Sequence, residues 1–144
     1  MKSINPNRPY SRLEIDKVFT KVKAVMHIEA CKIGNGIALY RDIYTGITLR
    51  GGEPYDYEHI RSSEEIFTKY RDRLTDGEIA IVVNCIENVG VTLTSINKSK
   101  GKHRMEDWMK NHANIIKFGI DKELTLVNLN NADNGIERMA KKFL

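Results

Sequence analysis

A chain of 144 residues, 41% hydrophobic and 29% charged, has the length of one domain and the composition of a globular protein with a core. A net charge of +4 permits a nucleic-acid partner without demanding one, and a count of two cysteines, Cys31 and Cys85, excludes a disulfide scaffold. No apolar run approaches the ~20 residues of a membrane span, and the polar start Met1-Lys-Ser-Ile-Asn-Pro6 lacks the apolar centre of a signal peptide, so a cytoplasmic location is expected.

Residues 1–10 carry Pro6 and Pro9 among polar side chains and read as an extended arm. From about Arg12 to Cys31, Ile15, Val18, Phe19, Val22, Val25 and Met26 recur at the spacing of one helix face, with Arg12, Lys17, Lys21 and Lys23 on the other. This amphipathic N-terminal helix is read as packing on the core; the rival reading lays it against DNA or a twin subunit. His27, on the same segment, has no neighbour in sequence that gives it a role. The Gly34-Asn-Gly36 turn leads into a strand over residues 37–43. The Tyr44-Thr-Gly46 turn and a short strand over 47–49 follow, and Gly51, Gly52 and Pro54 break that strand.

Tyr55-Asp-Tyr-Glu-His59 reads as a strand whose period of two sets Asp56 and Glu58 on one face and Tyr55, Tyr57 and His59 on the other. Side chains on opposite faces still converge where a strand ends. Ser62-Ser-Glu-Glu65 and Thr75-Asp-Gly-Glu78 are capping boxes that open two inserted helices. The first buries Ile66, Phe67, Tyr70 and Leu74, the second Ile79, Val82, Val83 and Ile86. Residues 88–94 read as the next strand, and Ser95 as the cap of a short helix that carries Asn97. Lys98, Lys100, Lys102 and Arg104 then cluster beside His103. Met105, Trp108, Met109 and His112 recur at helical spacing, with Trp108 as a core anchor; phosphate contact or a second acid is the alternative use of His103 and His112. Residues 122–129 are ambiguous between helix and strand. A last helix is expected from Asp133, with Ile136, Met139, Ala140 and Phe143 on one face.

The segment from Tyr55 to Lys102 holds the residues that phosphodiester hydrolysis needs: a base for water and hard oxygen ligands for a divalent cation. His59, with an ordinary pKa of ~6.5, is suited to be the base. Glu58 and the amide oxygen of Asn97 suit Mg²⁺ or Mn²⁺, and Mg²⁺ takes one or two protein ligands and keeps most of its waters. Asp56 is a rival ligand. Asn88 is expected to hold the His59 ring N–H and so fix its tautomer. Lys98, Lys100, Lys102 and Arg104 are expected to clamp the nucleic-acid backbone.

Glu58-His59-Ile60, then Asn88 and Thr92, then Asn97 followed by Lys100 and Gly101, preceded by the Tyr44-Thr45-Gly46 turn, resembles the HNH (ββα-metal) endonuclease family over about a third of the chain. Two departures stand out: no zinc can be held by four cysteines, so no structural zinc is expected, and Ser62 replaces a frequent proline. The resemblance implies an α+β fold with a ββα-metal core over residues 36–112, a two-helix insert within it, an arm and helix over 1–35 and a C-terminal extension over 113–144, all one domain. It also implies a DNA endonuclease of restriction or phage type that leaves 5′ phosphate and 3′ hydroxyl ends. Duplex cutting then needs a homodimer or two events. The alternatives are a module that binds nucleic acid without cutting, and an interaction protein in which His59 is core.

Overall fold

The computed structural model describes residues 2–144, so Met1 of the expected arm lies outside the described residues. The chain folds as α+β: α1 (Leu13–Ile33), β1 (Leu39–Arg41), β2 (Thr48–Arg50), β3 (Tyr55–His59), α2 (Ser63–Tyr70), α3 (Asp76–Val83), β4 (Val89–Leu93), α4 (Thr94–Lys100), α5 (Met105–Met109), α6 (His112–Phe118) and α7 (Lys122–Lys141). β1 pairs with β2, and β3 pairs antiparallel with β4 in the register Tyr55 to Leu93, Glu58 to Gly90 and His59 to Val89. No helix among the described residues is long and apolar enough to cross a membrane.

Two apolar cores flank the β3–β4 pair. One joins α1, α2, α3 and the end of α7 through Ile15, Phe67, Tyr70, Leu74, Ile79, Val83 and Ile136; the other gathers Tyr44, Ile60, Ile96, Met105, Trp108 and Leu129. The two inserted helices begin where their caps predict. Ser62 accepts from the Glu65 N–H, and Thr75 with Glu78 forms a reciprocal capping box. The arm is tied down rather than free: the Lys2 ammonium reaches Glu78 at 3.1 Å, and the Arg8 guanidinium reaches Asp76 at 2.7 Å and the Leu74 carbonyl at 2.8 Å.

Several expected elements shift. The strand over 37–43 shortens to β1 because Asp42 turns inward: its fully buried carboxylate accepts from the Tyr44 N–H, the Thr92 hydroxyl and the Leu93 N–H, binding the first sheet to β4. Ile86 is 82% exposed instead of buried, because α3 ends at Val83 and a 3₁₀ turn over Ile86–Asn88 rotates it outward. Ser95 is not a cap but lies inside α4, which starts at Thr94 with Leu93 in the cap position. The ambiguous segment 122–129 is helical and continues through Asp133 as α7, capped by the Asp121 carboxylate on the Leu124 N–H.

The end of β3 is strapped from both sides. Asn88, fully buried, accepts from the Arg61 N–H at 2.7 Å and donates to the carbonyls of Arg61 at 3.1 Å and Val83 at 2.8 Å. The Arg61 guanidinium forks onto Glu106 of α5 and Asp133 of α7, and holds the Glu106 carboxyl down at about 2. Gly90 lets Ile43 lie against β4, where a Cβ would stand 2.7 Å from its side chain. Replacing Asn88 by Ala leaves an N–H and two carbonyls buried without partners and is expected to cost roughly 2–4 kcal/mol. A urea midpoint unchanged in Asn88→Ala would contradict that role.

Candidate active site

β3 and α4 face each other in matched spacing. Asp56 and Glu58 share one face of the strand, and Asn97 and Lys100 share one face of the helix. Asp56 accepts from the Thr94 hydroxyl at 2.9 Å and from the Asn97 amide at 2.9 Å; Glu58 pairs with the Lys100 ammonium at 2.9 Å and accepts from the Tyr44 hydroxyl at 2.9 Å. Each contact fixes an atom. Because Asn97 donates its amide N–H to Asp56, its amide oxygen is the end left over, and no protein donor among the described residues takes it. Glu58 spends Oε1 on Lys100 and Tyr44, while Oε2 is buried and has no partner among the described residues. Burial pushes the Glu58 carboxyl above its ordinary value, against the opposing pull of Lys100 and Tyr44.

His59 lies on the other face of β3. Its ring sits 4.2 Å from the Phe19 ring of α1, and its Nε2 is 2.8 Å from the Asn84 side-chain oxygen. The orientation of that amide is settled by its nitrogen, which donates to the carbonyls of Ile15 at 3.1 Å and Ala80 at 2.8 Å. Asn84 can therefore only accept from the ring. Nε2 carries the proton and Nδ1 carries the lone pair. Burial holds the imidazole down at about 4, so it is neutral at pH 7, with the Asn84 hydrogen bond opposing that shift.

Glu58, His59, Asn97 and Lys100 line one cleft of about 260 Å³, closed on the α1 side by Arg12 and Phe19 and at its mouth by Lys102, His103 and Arg104. Of the residues expected to act or to hold a metal, Glu58, His59 and Asn97 line this cleft, and of the expected clamp Lys100, Lys102 and Arg104 do. Other expectations need correction. Asn88 makes no hydrogen bond to His59, because both its amide N–H groups and its side-chain oxygen are engaged in the strap described above; Asn84, at the end of α3, takes that position. Asp56 orients Asn97 and does not line the cleft. Lys100 is 6% exposed and turned inward onto Glu58, so it is no solvent-facing clamp. Lys98 is exposed but lies outside the cleft lining, and Arg104 is shared with Glu65 at 3.1 Å. His103 lines the cleft; His112 does not.

The residues of the cleft that could hold a hard dication are Glu58 and Asn97. No group of three or more His, Cys, Asp or Glu side chains that could hold a metal ion exists among the described residues. What the cleft offers is one buried carboxylate oxygen without a partner and one amide oxygen, the number of protein ligands Mg²⁺ accepts when substrate and water supply the rest. No thiol lines the cleft. Comparison of the chain with models of protein families, with curated proteins and with solved structures finds no match.

The neutral state of His59 has a thermodynamic consequence. An unfolded histidine takes up a proton near ~6.5, whereas the folded ring waits until about 4. Between those values the unfolded state binds more protons. The His59 contribution is therefore full above pH 6.5, falls as pH drops through the window, and is lost by about 4; it amounts to roughly 3 kcal/mol. The difference in unfolding free energy between wild type and His59→Gln should shrink by that amount from pH 7 to 4. Parallel pH curves for the two proteins would show that the ring is not held neutral.

Proposed function

We propose that this protein is a metal-dependent endonuclease that hydrolyses DNA phosphodiester bonds, on a strand, strand, helix arrangement (β3, β4, α4) similar to the HNH core. The observation that supports the reading is that three residues lining one cleft each keep an unpartnered atom: Glu58 Oε2, the Asn97 amide oxygen and the lone pair of His59 Nδ1. A structural ion pair or a core histidine does not need all three. Glu58 and Asn97 would hold the Mg²⁺ or Mn²⁺ ion. When bound, such an ion supplies Lewis-acid stabilisation of charge on the phosphate and leaving oxygen.

His59 takes the proton of the attacking water at Nδ1. Asn84 fixes which nitrogen faces that water, and Phe19 holds the ring plane. A base already neutral at pH 7 needs no prior deprotonation. Arg12, Lys102 and Arg104 at the mouth draw in the phosphate backbone, and Lys98 extends the positive surface beyond it. One cleft cuts one strand. A double-strand break then takes two events or two copies, and the second copy is proposed to pack on α1, which exposes Val25 and Ile28.

The test is incubation of the protein with supercoiled plasmid in Mg²⁺, Mn²⁺ or EDTA. Nicking is expected with either metal and not with EDTA, falling by roughly 10²–10⁴-fold in His59→Ala. Glu58→Gln and Asn97→Ala should lose cutting with DNA binding retained, because neither residue contacts the backbone outside the cleft. Asn84→Ala should lose rate while keeping both DNA and metal affinity. Binding without metal-dependent nicking would favour the non-cutting module, and His59→Ala cutting at the wild-type rate would remove His59 as the base.

A further inference from the structure

The Lys100 side chain is 8% exposed and that of its partner Glu58 5% exposed, with 2.9 Å between the ammonium and Oε1. The ammonium also lies 6.0 Å from the centre of the Tyr44 ring, whose hydroxyl donates to the same Oε1. A backbone clamp would be extended and wet; this lysine is the counter-ion of the one carboxylate that the metal reading needs. A dication on Glu58 Oε2 and the Asn97 oxygen would share that carboxylate with the ammonium. Nearby, Asp56 is already committed to Thr94 and Asn97, and Arg12, Lys102 and Arg104 add positive charge at the mouth. Two cations then face each other across one buried carboxylate, in surroundings that screen charge weakly. A phosphodiester, carrying one negative charge, relieves the repulsion by lying against both.

We propose that Lys100 couples cation binding to phosphate binding, so that Glu58 and Asn97 take up a divalent ion weakly in the free protein and tightly once a nucleic-acid phosphate is in the cleft. The proposal rests on the cleft being a metal-dependent phosphodiesterase site, and it gives Lys100 a place at the reacting centre instead of on the binding surface. By linkage the ion must raise nucleic-acid affinity by the same factor. Cutting is thereby confined to protein that already holds its substrate.

The experiment measures Mn²⁺ affinity from the electron paramagnetic resonance signal of the free ion, in a His59→Ala background that does not cut, with and without a short DNA oligonucleotide. With Lys100 present, the oligonucleotide should tighten Mn²⁺ binding by about tenfold or more. In Lys100→Met, Mn²⁺ should bind about tenfold more tightly without DNA, and the tightening by the oligonucleotide should fall by about the same factor. Lys100→Arg keeps the charge and should keep the coupling. The pair Glu58→Gln with Lys100→Met restores neutrality and should take up no ion. Mn²⁺ affinity in Lys100→Met no higher than in its parent overturns the coupling while leaving the metal site standing; no Mn²⁺ uptake by any variant overturns both. If Lys100→Met loses its circular dichroism spectrum, the Lys100 protein alone decides: an Mn²⁺ affinity indifferent to DNA contradicts the coupling.

Discussion

A strand sends successive side chains to opposite faces, yet the chemistry proposed here needs two adjacent residues, Glu58 and His59, at one cleft. The fold meets this constraint by placing both at the end of β3 and backing each face with a different helix. α4 covers the Asp56 and Glu58 face, and α1 with the end of α3 covers the His59 face. The cleft opens where those two walls part. Nearly everything around it serves to keep that strand end in register: the Asn88 strap, the Arg61 fork onto α5 and α7, and the Asp42 carboxylate that ties the first sheet to β4.

This arrangement is costly in electrostatic terms, and the costs fall at the cleft. A carboxylate as buried as Glu58 is tolerated because Lys100 neutralises it and Tyr44 donates to it, and a buried pair of this kind adds little net stability. Breaking such a pair from one side typically costs about 3–5 kcal/mol, since the other charge is left alone in the interior. An imidazole held neutral and a carboxylate with an unpartnered oxygen are similarly poor investments for stability alone. Their concentration in one cleft is the physical reason for reading the cleft as functional. Glu87 Oε1 is another buried oxygen without a partner, but Glu87 is ion-paired to Arg138 on a surface with no base nearby.

The residues that the proposed reading uses are legible in the sequence where their chemistry is written in type and order. Glu58, His59 and Asn97 could be picked out because a carboxylate, an imidazole and an amide stand at strand and helix ends in a phosphodiesterase order. The alternation of β3 also put Asp56 and Glu58 correctly on one face. Asn84 was illegible: an asparagine ending a helix is an ordinary C-terminal residue, and only the packing of α3 against α1 brings it to His59. Asn88 had the expected spacing and was assigned the wrong work, since spacing does not say which way an amide turns. Lys100 was hidden in a charge run with Lys98 and Lys102. Its place three residues after Asn97 on a helix, matched to Glu58 two residues after Asp56 on a strand, was the available signal. The full length of α7 is hidden in the sequence because Asn128, Asn130, Asn131 and Gly135 are weak helix formers, although Thr125, Leu129, Ala132, Ile136 and Ala140 form its buried stripe.

The most direct measurement of the central claim is a titration of the protein with Mn²⁺ in the presence of a DNA oligonucleotide, on His59→Ala and on wild type at low temperature, recording side-chain nuclear magnetic resonances. The account predicts early paramagnetic broadening of the Asn97 side-chain amide in both proteins and of the His59 ring in wild type, with the Asn88 amide and the His112 ring broadened later. Wild-type His59 should also show the nitrogen shifts of a neutral ring protonated at Nε2. Broadening centred on any other part of the chain, or a His59 ring protonated at Nδ1, would contradict it.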